Sequence, residues 1–354
     1  MLATRGGFLL TAEGGCALRG ARVVRVALIP MIRTRFMLRL ALAETNRTCA
    51  IVETTTLARA HVDAPDNLVA GLQARFGPVE QVFAQAPHVF RETFTTHRGG
   101  CHSMEGRGVI AAVDAIHDHL TIWSSTQVPH GLKRTLVPYL GLPEHAIRVV
   151  APDVGGAFGV KLQAYPEEIV LCLATMRLKR PIRWLEDRWE HFVSTTHGRE
   201  QYHDVEVGFD DEGTILAIKD HAVTNTGAYL QRLTLVEPFI GVAMLSGPYR
   251  VAHQELRSSV VMTNTTPLNP FRGVGHVQAA FVMERIVDLV AEACGLDAGE
   301  VRLRNMIRPE ELPLRRGIGN VLAGEIVYDS GDYPACLRRA LELAGWDGFR
   351  AEQA

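Results

Sequence analysis

Val150-Ala151-Pro152-Asp153-Val154-Gly155-Gly156-Ala157-Phe158-Gly159-Val160-Lys161 is the stretch on which the reading of this chain turns. The apolar run before it predicts a strand over 147–151, and the periodic run after it predicts a helix over 164–178, with glycines bending the chain between them. Such a turn exposes backbone N–H groups at a helix start, where the helix dipole also favours an anion. A tight turn that only needs positive φ accounts for the same glycines. The stretch has neither the Gly-Lys-Ser/Thr ending of a phosphate-cradling P-loop nor the G-x-G-x-x-G spacing of a dinucleotide-binding turn.

Upstream, residues 120–125 predict a strand that runs through Thr126-Gln127-Val128-Pro129 into a helix with Leu132, Leu136, Val137 and Leu140 on one face. Pro129 suits a first helical turn, and Gln127 falls at a strand's C-terminal end, where α/β units place ligand-contacting side chains. Glu167 and Glu168 open the helix at 164–178 and Arg177, Lys179 and Arg180 close it, matching the dipole at both ends. Further elements are a helix at 79–85, strands at 88–96 and 182–186, and a hairpin around Asp210-Asp211-Glu212-Gly213. A helix carrying Met283, Ile286, Val287, Val290 and Cys294 stops at Gly295, and Asp297 with Glu300 forms a capping-box pattern for the next one. The fold class is α+β, with mixed sheets that combine βαβ-like units and antiparallel hairpins.

Composition narrows the function. The 354 residues carry a net charge of −2, 47% hydrophobic and 21% charged residues, the make-up of a globular chain without a basic face for nucleic acid. No stretch offers about 18 uninterrupted apolar residues for a membrane span, and a cytoplasmic location is expected. The six cysteines are scattered without a C-x-x-C pair, and the fourteen histidines form no H-E-x-x-H, so no protein-built metal site is expected. His117 and His119 flank Asp118 in a hairpin turn and read as solvated groups. Residues 1–60 differ in texture, with Arg5, Arg19, Arg22, Arg25, Arg33, Arg35 and Arg39 and few acids before Glu44. This stretch reads as a targeting segment, with a basic amphipathic helix at 23–42, or as sequence translated from upstream of the true start. Poor order is expected there.

Three loop segments carry the candidate chemistry: Ser124-Ser125-Thr126-Gln127, Gly155-Gly156-Ala157-Phe158-Gly159 and Asn269-Pro270-Phe271-Arg272-Gly273-Val274-Gly275. An arginine between glycines sits on a closely approachable loop and suits bidentate recognition of an anion. Together with Met104-Glu105-Gly106-Arg107 and with Glu284, Asp288, Ala291, Gly295, Asp297, Glu300, Arg302 and Asn305, these segments occur in the order found in one family. From about Asp63 to Glu342 the chain resembles the large, molybdopterin-binding subunit of the xanthine dehydrogenase and aldehyde oxidase family.

The resemblance implies a molybdopterin, optionally extended by a nucleotide, that holds molybdenum through its own sulfurs. Backbone at Gly156, Ala157, Phe158 and Gly159 would approach this cofactor, the Gln127 amide would hydrogen-bond a ligand of the metal, and Arg272 would lie beside the metal or the substrate oxygen. Phe271 and Val274 would line the substrate pocket, although a packing role explains the two aromatics Phe158 and Phe271 equally well. The implied reaction is hydroxylation of aldehydes or N-heteroaromatic compounds with water as oxygen source. Electrons would leave through an iron–sulfur subunit and an FAD subunit. The catalytic base is implied to be a glutamate outside this chain, in a second cofactor domain that a separate polypeptide could supply.

The domains expected are therefore an atypical segment 1–60, a molybdopterin-binding domain 63–342 and a truncated tail 343–354. Two alternatives stay open, an inactive fragment of such a subunit and a generic nucleotide- or phosphate-binding domain. Leu162 stands where purine-oxidising members carry a glutamate, which disfavours xanthine. Gly273 stands where copper–molybdenum carbon monoxide dehydrogenases carry a cysteine, which disfavours that chemistry too. Ala157 replaces the family's third glycine, a change without strain only if its φ is negative.

Overall fold

The computed structural model of the chain describes residues 60–61, 67–114, 116–320 and 324–353. They form two compact units, one within Gly100–Thr196 and the other within Ile51–Gly99 and His197–Ala354. The former carries the glycine loop and the latter the arginine turn, and the two are named accordingly below. The Arg-rich segment, with its expected helix at 23–42, lies outside the described residues except for Ala60.

The chain enters the arginine-turn unit through β1 (Leu68–Phe76), α1 (Val79–Gln85) and β2 (His88–Thr96) and then builds the whole glycine-loop unit. There β3 (Gly108–Val113) and β4 (Leu120–Ser124) pair antiparallel around a turn in which His117 Nδ1 lies 2.8 Å from Asp114 Oδ2. α2 (Pro129–Leu140) crosses over to β5 (Ile147–Val150), which pairs parallel with β4, so the expected β–α–β unit is present. α3 (Pro166–Leu178) then leads to β6 (Ile182–Leu185) at the opposite edge, giving the order β5-β4-β3-β6, and α4 (Arg188–Ser194) follows. Leu132, Leu136 and Leu140, four residues apart on one face of α2, bury with Leu171 and Cys172 of α3 against the alternating residues Val109, Ala111, Leu120 and Ile122. Gly141 at φ 67° ends α2 with its N–H on the Val137 carbonyl.

The start of α3 differs from the sequence reading. The helix begins at Pro166, with residues 160–165 separating it from Gly159, and its N-terminus is closed by its own side chain. The Tyr165 N–H donates to Glu168 Oε2 at 2.8 Å. Glu168 lies in the first turn, within reach of the end it caps, and so competes with any outside anion. A free helix dipole is therefore not presented to the glycine loop.

The chain returns to the arginine-turn unit with β7 (Gln201–Phe209) and β8 (Ile215–Asn225), the expected hairpin, then α5 (Val236–Ala243) and β9 (His253–Val261). The sheet order is β1-β9-β8-β7-β2, antiparallel except where β8 and β9 run together. Alternation on β7 puts Val205, Val207 and Phe209 into the core, against Val282, Met283, Ile286 and Val287 of α6 (His276–Cys294). Asp204 and Glu206 between them meet Arg91 at 2.7 Å and Lys219 at 3.4 Å. α6 ends at Gly295 in the left-handed conformation, as its sequence requires. α7 (Ala298–Asn305) is capped by Asp297 accepting from the Gly299 and Glu300 N–H groups, and only this half of the expected capping box forms. β10 (Leu314–Asn320), β11 (Gly324–Tyr328), α8 (Tyr333–Ala344) and α9 (Trp346–Gln353) complete the unit, with Trp346 Nε1 donating to Asp297 Oδ2 at 2.9 Å. Among the described residues no helix is long and apolar enough to cross a membrane.

Candidate functional site

The glycine loop is held at both ends by side chains from outside it. Glu105 Oε2 accepts the Gly155 N–H at 2.7 Å and the Lys161 ammonium at 2.6 Å, so one carboxylate oxygen closes the segment 155–161. The Lys161 side chain is buried, which makes this ion pair the compensation for its charge. A Cβ on Gly155 would lie 2.6 Å from the Glu105 Cβ, and one on Gly156 would lie 3.0 Å from the Phe158 ring and 3.2 Å from the Ser103 Cβ. Gly156 and Gly159 have φ of 98° and 116°, so the turn calls for glycine at both, and at Gly156 the close approach does so too.

Gln127 fixes the loop from the end of β4. Its own N–H donates to the Lys161 carbonyl at 3.0 Å, and its side-chain Oε1 accepts the Gly159 N–H at 3.1 Å. A backbone N–H can only donate, so the carboxamide must turn its oxygen to the loop, and its NH2 keeps two donors for something else. Ala157 is not among the residues with positive φ, and its methyl is unstrained. The strain falls on Phe158 instead, at φ 54° with 45% of its surface exposed.

The same unit holds a buried ionic cluster that the sequence did not disclose. The Arg107 guanidinium bonds Glu186 at 2.7 Å and Glu167 at 3.3 Å and lies 3.8 Å from the centre of the Tyr165 ring. Burial pushes the Glu186 carboxyl up, but hydrogen bonds from His191 and Arg107 outweigh it and hold the group below the usual range. Burial carries Glu168 up to about 7, because the Ser124 hydroxyl and the Tyr165 N–H compensate only in part. A cavity with room for one water lies among Arg107, Lys161, Gln163 and Glu168. Glu167 and Glu168, read from sequence as charges on a helix end, are core groups.

In the other unit, Phe271, Arg272 and Val274 form one tight turn at the start of α6, where the Val274 N–H donates to the Phe271 carbonyl at 2.8 Å. Arg272 is exposed, and Phe271 and Val274 are half-buried. The guanidinium of Arg199 lies 4.2 Å from the centre of the Phe271 ring and donates to the Arg272 carbonyl. Glu237 of α5, wholly buried, accepts the Arg199 and Phe271 N–H groups and the Gln278 amide, and burial raises its pKa. A side chain at Gly273 would be strained at φ 100° and would place a Cβ 2.6 Å from Val277 Cγ2.

The structure thus brings Gln127 to Gly159 and Phe158 to Gly156, and it makes one turn of Phe271, Arg272 and Val274. The first group belongs to the glycine-loop unit and the second to the arginine-turn unit. Glu105, Lys161, Arg199 and Glu237 hold these loops and received no role from sequence. Glu105 and Lys161 stood in family motifs, a usable signal, whereas Arg199 and Glu237 gave none.

Comparison with known proteins decides the family. Residues 60–306 match the molybdopterin cofactor-binding domain. The chain belongs to this family. It is 36% identical over 283 residues to the 6-hydroxypseudooxynicotine dehydrogenase complex subunit gamma of Paenarthrobacter nicotinovorans, covering 80% of this chain and 35% of that one. The carbon monoxide dehydrogenase large chain of Afipia carboxidovorans is 31% identical over 286 residues, 77% of this chain and 34% of the relative. Among solved structures, quinoline 2-oxidoreductase from Pseudomonas putida 86 superposes with a TM-score of 0.77 at 33% identity, covering 85% of this chain and 38% of that one. The chain spans about a third of the length of the curated relatives it matches.

The residues of this molybdopterin-binding domain fit such a cofactor. A pterin that brings its own sulfur ligands needs no protein thiolates, and among the described residues no group of three or more His, Cys, Asp or Glu could hold a metal. What it needs is close-approach backbone and aimed amide donors. Gly156 and Gly159, bare backbone at positive φ, would be the residues to meet the first need, and the NH2 of Gln127, whose oxygen is held by the Gly159 N–H, the second.

Proposed function

We propose that this chain is the part of a molybdenum hydroxylase large subunit, residues 63–342, that binds the metal end of a molybdopterin and takes part in hydroxylating an aldehyde or N-heteroaromatic substrate with water. The observation that carries the reading is Gln127, whose oxygen is spent on the Gly159 N–H while its NH2 remains to donate. The cofactor supplies a metal that activates water and accepts the electrons of the oxidised carbon. Gly156, Ala157, Phe158 and Gly159 bring the backbone close to it, Gln127 orients it by hydrogen bonding, and Arg272 offers a guanidinium to an oxygen of the metal or substrate. Phe271 and Val274 present apolar surface to the substrate. The proton-accepting glutamate is implied to lie outside these residues, and iron–sulfur and FAD subunits carry the electrons away.

Two features bear on the substrate. The relatives named for nicotine-type and quinoline substrates support an N-heteroaromatic compound. Gly273 offers no thiolate after Arg272, and a side chain there would be strained at φ 100°, which argues against copper chemistry of the kind named in a related Cu,Mo carbon monoxide dehydrogenase structure. A generic anion cradle is disfavoured because Glu168 already caps α3.

The test is to purify the chain after co-expression with the neighbouring genes in a host that makes the cofactor, and to measure molybdenum and pterin per protein. Near-equimolar content is expected, and Gln127→Ala is expected to lower it several-fold. Folded protein free of both would sink the proposal.

A further inference from the structure

Gly273, Val274 and Gly275 follow one another with φ of 100°, 31° and 80°. Glycine adopts such angles freely, but a β-branched valine does so only where its surroundings over-determine the conformation. Those surroundings are visible. Gly275 lies so close to α5 that a Cβ there would be 2.5 Å from the Gly241 nitrogen and 2.6 Å from the Glu237 carbonyl oxygen. The Glu237 side chain accepts the Phe271 N–H at 3.4 Å and the Gln278 amide at 2.7 Å, which anchors both sides of the turn. It also accepts the N–H of Arg199, a residue itself at φ 75°. From there the Arg199 guanidinium covers the Phe271 ring and donates to the Arg272 carbonyl. None of the ion pairs among the described residues involves Arg199, and its buried Nη1 makes no hydrogen bond. The guanidinium is spent here on a ring face and a carbonyl.

We infer that Arg199 and Glu237 are positioning residues, a two-point clamp that holds the Phe271–Val274 turn in its strained form so that Arg272 is presented ready for the ligand. The inference rests on the reading of this turn as part of the molybdenum site, and it adds two residues that act through Phe271 and Arg272 without touching the ligand. Glu237 fixes the amide end of the turn, and Arg199 fixes the carbonyl of Arg272 and the ring before it. The planar fork of arginine does both jobs at once, and a lysine can do only one.

Trypsin reads the clamp directly, because the bond after Arg272 lies in the turn. In the full chain, Arg199→Met is expected to speed cleavage after Arg272 about tenfold or more relative to cleavage after Arg338 and Arg339, exposed residues of α8. Arg199→Lys is expected to fall between wild type and Arg199→Met, a graded rescue that a general loss of stability would not give. Glu237→Gln, which turns an NH2 toward a backbone donor, is expected to raise the same ratio. A wild-type ratio in Arg199→Met and Glu237→Gln overturns the proposal. If Arg199→Met unfolds and all sites are cut alike, Arg199→Lys decides, and its wild-type ratio is equally fatal. Pterin content of the same samples separates the two claims, since wild-type protein lacking pterin with the cleavage contrast intact would sink the functional reading and leave the clamp standing.

Discussion

The two units hold an irregular loop by opposite means. In the glycine-loop unit the supports are ions: Lys161 with Glu105 at the loop itself, and Arg107 with Glu167 and Glu186 in the core of the same unit. At the arginine turn they are one buried carboxylate that receives amide hydrogens, a guanidinium lying on a ring, and glycines that let helices touch. An ionic support fails by subtraction, because removing one partner leaves the other charge buried and unpaired. A close-packed support fails by addition, because a single methyl has nowhere to go.

The contrast can be broken in four places. Arg107→Met is expected to have the largest effect, a loss of about 3–5 kcal/mol, since Glu186 and Glu167 would stay buried without their cation. Urea denaturation measures it, and a loss below about 1 kcal/mol would mean that the ionic cluster is not what holds this unit together. Glu168→Gln comes next, through pH. The folded carboxyl at about 7 holds its proton more tightly than the unfolded one, so its contribution to stability is full below about pH 4.5 and lost as pH rises to 7. The wild type should therefore lose up to about 3 kcal/mol relative to Glu168→Gln between pH 5 and pH 8. Parallel stability profiles for the two proteins would contradict this.

Gly275→Ala tests the close-packed side, where the methyl meets the backbone of α5 at a positive φ, and about 2–3 kcal/mol should be lost. A thermal midpoint equal to wild type would show that α5 and α6 can part without cost. Arg91→Ala should do least, about 0.5 kcal/mol, because Arg91 is exposed and the pair works largely in water. A larger loss would show that surface ions matter to the sheet as buried ones do to the loop.

Much of the site was legible because it is written in short-range patterns. The glycines at 155, 156 and 159, Gln127 at the end of a strand, and Arg272 between a phenylalanine and a glycine all announce backbone demands within a few residues. The partners of these loops were not legible. Glu105 meets Gly155 across 50 residues, Glu237 meets Arg199 across 38, and Arg199 meets Arg272 across 73. Glu167 and Glu168 show the limit well. Their position at a helix start was right, yet one pairs with Arg107 and the other with Ser124 and the helix's own first amide, inside the core.

By itself the sequence determined the α+β class, the strand–helix–strand run from 120 to 186, the hairpin around 210–213, the helices before and after Gly295, and the family. Periodicity, capping and the demand for positive φ are local properties of the backbone, and a single chain displays them. Tertiary structure alone decided that Glu167 pairs with Arg107 in the core, and that Glu105, Arg199 and Glu237 hold the loops in place. A buried polar group must find a partner, and which partner it finds depends on which elements pack together, a fact that no local stretch of sequence contains.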